Sequence, residues 1–340
     1  MHRRLGTVVT LAALVASAFA ACGPGDSPAP HEELVVYSAR SSTLNNAVIP
    51  AFEETTGIRV NLVTGGTGEL LDRVESERSD PHADVLWAGD RTMLAGSIAL
   101  FERYISPEDA HMDPTFRNKS GYFTPAFADP TVLIVNTNLE GSRQITSYAD
   151  LLDPALRGKI AFGDPARSSS AFQSLLAMLY GAGTDEDPLS TKAWDFVDAF
   201  LDNLDGTILD SSAQVYEGVA SGRFVVGLTW EDPAANLVRS GAPVAVVFPT
   251  EGAIVPSESV QIVKGAQHLS SARRFVDYLL SPDVQERVGQ TTTIRPLRHG
   301  VALADYLTPT AQIARFDTYD DAWVAHHTDE IERRFEARRP

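Results

Sequence analysis

The chain has 340 residues, with 28 lysines and arginines against 45 aspartates and glutamates, a formal net charge of −17. Hydrophobic residues make up 44% and charged residues 21%, which suits a chain with a buried core and excludes disorder over most of its length. The acidic balance argues against a nucleic-acid surface, a single cysteine excludes a disulfide framework and a cysteine-based zinc site, and the length suggests about two domains.

Arg3 and Arg4 precede an uncharged run from Leu5 to Ala21. That run is short for a spanning helix and has the layout of an export signal. Ala18-Phe19-Ala20 fits ordinary signal removal, whereas Phe19-Ala20-Ala21-Cys22 resembles a bacterial lipobox with Phe19 in place of the usual leucine. Behind Cys22 the stretch Gly23 to Pro30 is rich in Gly, Pro and Ser and reads as a spacer. The expectation is a signal peptide over 1–21, a flexible tether over 22–33 and lipid on Cys22, with soluble export as the alternative. The mature protein is expected outside the cytoplasmic membrane, periplasmic or on the cell surface.

The body alternates strands and helices. Leu34 to Tyr37 is an apolar strand, and Leu44, Val48 and Phe52 then recur at helical spacing until Gly57. Ile58, Val60 and Leu62 alternate as a strand, Thr64-Gly65-Gly66-Thr67-Gly68 turns into a helix carrying Leu70 and Val74, and Asp84 to Trp87 is a third strand. This βαβαβ order predicts a parallel sheet whose strand-to-helix loops share one edge, where ligands bind. The pattern restarts with strands at Thr131–Val135 and Lys159–Phe162, a serine-rich loop, and a helix with Phe172, Leu175 and Leu179. A helix with Val215 and Val219, a strand at Phe224–Leu228 and a strand at Val244–Phe248 follow. The segment 258–340 reads as mainly helical, with Ser281 as the N-cap of a helix over 282–290.

Loops at these strand ends share hydroxyls and free backbone N–H groups. Ser38, Thr67, Gly68, Ser169, Ser170, Ser211 and Ser212 sit there, several at helix N-termini, where unpaired N–H groups and the macrodipole favour an anion. Capping alone explains any one such serine, so the argument rests on their coincidence. Glu231 and Asp232 are neighbours and do not form the opposed pair of a glycosidase; they either accept hydrogen bonds from a solute or cap the next helix. Trp230 either stacks on a solute or joins the core. His326-His327 with Asp329 reads as a solvated group rather than a metal site. No dinucleotide, phosphate-loop or hydrolase-elbow motif is present.

Several motifs together resemble one family. They are Val35-Val36-Tyr37-Ser38-Ala39, Ala83 to Asp90, Asp164-Pro165 with its serine run, Gly227 to Ala235, Pro249-Thr250-Glu251-Gly252, Ala272 to Tyr278 and Arg295-Pro296. Over residues 34–308 the chain resembles an extracellular solute-binding protein of an ABC importer, in the ferric-binding-protein-like branch of the type II periplasmic-binding fold. The resemblance implies an α/β fold of two lobes, each a mainly parallel sheet flanked by helices, with 34–127 plus 258–340 in lobe 1 and 128–257 in lobe 2. It implies two hinge strands, near 125–132 and 249–259, with the solute clamped between the lobes. Partners would be a small anionic solute and the permease and ATPase of the importer, with the receptor a monomer, not an enzyme, and without a cofactor.

Iron-binding members carry paired tyrosines after the strand that corresponds to Phe224–Leu228, where this chain has Thr229-Trp230-Glu231-Asp232. Their first loop supplies a histidine, where this chain has Ser38-Ala39-Arg40. Fe³⁺ favours anionic oxygen ligands, and losing both phenolates removes much of that charge. The serine- and threonine-lined loops resemble those of the aminoethylphosphonate- and sugar-phosphate-binding members, which implies a phosphorylated or phosphonate solute, with ferric iron and a secreted hydrolase as alternatives. The expected site comprises Ser38, Ala39, Gly66, Thr67 and Gly68 with Asp90 from the first lobe. From the second it takes Ser169, Ser170, Ser211 and Ser212, then Trp230, Glu231 and Asp232, and it includes no metal ligand.

Overall fold

A computed structural model describes residues 32–88, 94, 96–183, 187–316 and 318–339. The expectations for the export signal, Cys22 and Asp90 lie outside those residues. Among the described residues no helix is long and apolar enough to cross a membrane.

The expected βαβαβ unit is present: β1 (Glu33–Ser38), α1 (Ser42–Thr56), β2 (Arg59–Thr64), α2 (Thr67–Ser76) and β3 (Val85–Ala88). The hydroxyl of Ser41 accepts the Leu44 N–H at the start of α1. Gly57 ends the helix at φ +72° and donates its N–H to Glu53 O, a conformation that costs a glycine nothing. Leu44, Val48 and Phe52 face inward, and Phe52 meets Phe275 edge-on at 5.1 Å. Both β2 and β3 pair with β1 in parallel.

The rest of this sheet departs from the expected parallel order. The two-residue β4 (Phe101–Glu102) and then β5 (Thr124–Ala128) follow, and after the second sheet the chain returns as β10 (Ser257–Val263) and β11 (Arg295–Pro296). The path runs β2-β1-β3-β10-β5-β11, with β4 also on β10. β10 enters antiparallel between β3 and β5, so the sheet is mixed. Register slips by one residue between Glu258 and Ser259 of β10, opposite a stretch of β5 containing Pro125, which has no N–H to give the ladder. The nearby Ala126 carbonyl is satisfied instead by the Gln285 side-chain amide, at 2.9 Å.

The second sheet contains β6 (Thr131–Asn136), β7 (Ile160–Ala161), β8 (Val226–Trp230) and β9 (Val244–Val247), in the order β7-β8-β6-β9. Here the β7–β8 pair is parallel, whereas β6 runs antiparallel to both β8 and β9. Around it lie α3 (Ser169–Ala182), α4 (Thr191–Leu204), α5 (Ser212–Ala220) and α6 (Glu231–Arg239). Phe162 and Phe200 meet edge-on at 5.2 Å in its core.

The final helices are α7 (Leu269–Leu280), α8 (Pro282–Thr291) and α9 (Asp321–Glu336). Ser281 precedes α8 as expected, yet its hydroxyl donates backward to Tyr278 O at 2.7 Å and caps nothing. α7 and α8 bury Phe275, Val276 and Val284 against the first sheet, whereas Val324, Ile331 and Phe335 of α9 join the core of the second. The expectation that all of 258–340 belongs with the first sheet therefore fails for α9. The chain consequently crosses between the sheets three times: at Asp129-Pro130, through 248–256, and before α9. Crossings two and three run side by side, with the Ala253 N–H donated to Ala314 O at 2.8 Å.

Candidate functional site

A cavity of about 430 Å³ opens at the strand ends where the two sheets meet, a size suited to a small solute. Four helix starts reach it. The β1–α1 loop contributes Ala39, Arg40 and Ser41; α2 contributes Thr67 and Gly68; α3 contributes Ser169 and Gln173; and α6 contributes Asp232. Trp230, at the end of β8, forms part of the wall rather than the core. Asp129, Pro256, Ser257 and Glu258 come from the first and second crossings and the start of β10.

Of the expected residues, Ala39, Thr67, Gly68, Ser169, Trp230 and Asp232 thus line one cavity. Others hold the wall in place. Ser38 is fully buried; its hydroxyl donates to Asn45 Oδ1 at 2.8 Å and accepts the Arg40 N–H at 3.2 Å, which fixes the loop that presents Arg40. Gly66 is the residue before α2. Ser170 is buried within α3. Ser211 caps α5 by accepting the Gln214 N–H, and Ser212 is the first residue of that helix. Their loop still meets the cavity indirectly: Asp210 pairs with Arg167, a lining residue, at 2.7 Å.

Glu231 is also committed elsewhere. Its carboxylate forms a two-pronged ion pair with Arg295, and both side chains are buried. Burial raises the Glu231 pKa while the guanidinium opposes that rise. Asp232 is held differently, accepting from the Thr293 hydroxyl and, at 3.1 Å, from the Asn236 amide. Its own N–H donates to Asp129 Oδ1 at 2.9 Å. Burial, and then the nearby Asp232 and Glu258 carboxylates, raise the pKa of Asp129 well above its ordinary value.

Sequence reasoning missed Arg40, Asp129, Arg167 and Glu258 as a group. Their positions on crossings and loop ends carry no periodic signal, and only the tertiary fold brings them together. The C-terminus braces one of them: Arg339 reaches Asp164 at 2.7 Å, and Asp164 O accepts the N–H groups of Arg167 and Ser168. At the helix itself, His327 stacks on Trp323 at 4.2 Å, whereas His326 is exposed.

Residues 47–315 match the bacterial extracellular solute-binding proteins. The chain belongs to that family. Among its relatives, Iron uptake protein A1 of Synechocystis is 29% identical over 296 residues, covering 82% of this chain and 79% of the relative. The spermidine/putrescine-binding periplasmic protein of Escherichia coli is 26% identical over 254 residues, 72% of each chain. The fold matches the periplasmic binding protein AfuA of Actinobacillus pleuropneumoniae, solved with fructose-6-phosphate, at a TM-score of 0.76 and 23% identity, over 91% of this chain and 98% of that one. The fold is therefore the two-lobed type II periplasmic-binding architecture. The chain is an exported solute-binding protein of the kind that serves ABC importers, and it is not an enzyme.

Proposed function

We propose that the cavity captures a small phosphorylated or phosphonate solute and that the receptor delivers it to the permease and ATPase of an ABC importer. One observation carries this reading. The same cavity lines up cationic and neutral donors (Arg40, Arg167, Ser41, Thr67 and Ser169) with the carboxylates of Asp129 and Asp232. The donors suit an acid group, and the helix starts at α1, α2 and α3 add their N–H groups. The carboxylates suit the hydroxyls or amine on the rest of such a molecule. A putative 2-aminoethylphosphonate-binding periplasmic protein of Salmonella typhimurium, 22% identical over 288 residues, is a relative with a matching solute class. Ferric iron fits this lining less well, because neither tyrosine nor histidine is among the described lining residues.

Native mass spectrometry of the protein as purified from its own cells tests the reading. A retained organophosphate or phosphonate supports it, and retained iron or a polyamine contradicts it. The receptor is proposed to act as a monomer tethered through lipid on Cys22. Changing Cys22 to Ala should move it from membranes to the soluble fraction.

A further inference from the structure

Arg40 and Glu258 face each other across the cavity wall and form an ion pair through Arg40 Nη1 and Glu258 Oε1. The Arg40 side chain is 8% exposed and that of Glu258 17%. Each keeps one polar atom in reserve: among the described residues, the buried Arg40 Nε and Glu258 Oε2 have no hydrogen-bond partner. Buried polar atoms are costly to leave unsatisfied, and here both belong to groups lining the cavity. The backbone serves the same arrangement. Ser38 pins the Arg40 N–H, and the register slip in β10 falls at Glu258.

We propose that Glu258 is a resident counter-ion which the acid group of the solute displaces from Arg40. This rests on the reading of the cavity as an anion site. Arg40 then presents its planar fork to the incoming acid, as guanidinium groups do to phosphates. Glu258, released, stands beside the carboxyl groups of Asp129 and Asp232, and its freed charge requires a new donor. The solute that completes the exchange therefore carries a hydroxyl or ammonium group as well as its acid. The exchange also makes Glu258 a selectivity element. It disfavours inorganic phosphate, which displaces the carboxylate and has only the P–OH of its own acid group to offer in return.

Inorganic phosphate is the probe that isolates this competition. Calorimetry with Glu258→Gln, which keeps the shape and a hydrogen-bonding amide, should show phosphate binding at least tenfold tighter than in the wild type. Glu258→Ala should tighten it as well, and 2-aminoethylphosphonate or a sugar phosphate should gain much less from either change. Phosphate binding that is unchanged or weaker in both variants overturns the exchange. If the wild type binds no organophosphate but Glu258→Gln still gains phosphate, the exchange stands and the proposed solute class falls. If phosphate binds to neither, the exchange falls, and the proposed solute class falls with it only when no organophosphate binds the wild type.

Discussion

Arg295 on β11 and Glu231 at the start of α6 form a buried, two-pronged ion pair that ties the first sheet to the second. Thr293, two residues before Arg295, repeats the link by donating its hydroxyl to Asp232, the residue after Glu231 on α6. Removing one partner of such a pair strands the other charge in the interior, at a cost of about 3–5 kcal/mol. Glu231→Ala should therefore lower stability by about that amount in urea unfolding. A loss of well under 1 kcal/mol would mean that Arg295 finds another partner.

Asp129 gives the stability a pH dependence. Its pKa in the folded protein lies well above the ordinary 3.8, so the folded state holds a proton that the unfolded state has released. Stability therefore falls as pH rises above about 4 through the folded-state value, because the folded form must surrender that proton. Asp129→Asn keeps an oxygen for the Asp232 N–H and removes the charge. Unfolding midpoints of the variant should exceed those of the wild type at pH 7, and the two should converge towards pH 4. A variant less stable at pH 7 contradicts the assignment.

Two serines that look alike in sequence should behave differently. Ser169 lines the cavity, whereas Ser212 opens α5 outside its lining. A hydrogen bond to a charged group contributes about 1.5–3 kcal/mol, so Ser169→Ala should weaken solute binding by about ten- to a hundredfold. Ser212→Ala should leave the dissociation constant unchanged. Equal losses in isothermal titration would place the acid group nearer α5.

The C-terminal helix should be integral to the second sheet's core. Phe335 is 2% exposed there and lies 6.2 Å from the Phe162 ring. Phe335→Ala should cost about 3–5 kcal/mol in denaturant unfolding. A change of under 1 kcal/mol would mean that α9 adds little to that core.

The residues that announced themselves in the sequence are those with local causes. Gly57 ends α1 through a contact only a few residues away, and Leu44, Val48 and Phe52 repeat on one face. β10 stayed hidden because its buried positions include Ser259 and Gln261, which hydrogen-bond to each other and blur the apolar pattern of a central strand. Its antiparallel entry was illegible for a related reason: direction depends on where the chain comes from, after more than a hundred residues in the second sheet. The site divided the same way. Thr67, Gly68 and Ser169 follow from loops at strand ends, whereas Arg40 meets Glu258 across 218 positions of sequence, a pairing that the numbers 40 and 258 do not reveal. Glu231 was legible as a charged residue at a helix start, and its partner Arg295 was not.

One cavity is proposed to hold an acid group through neutral and cationic donors. Isothermal titration of the exported protein with 2-aminoethylphosphonate, a panel of sugar phosphates, spermidine and ferric citrate tests it most directly. At least one phosphorus-containing acid should bind one-to-one, undiminished by a chelator and weakened by Ser169→Ala. Tight, chelator-sensitive binding of iron, or binding of spermidine with no response to any phosphorus acid, would contradict it.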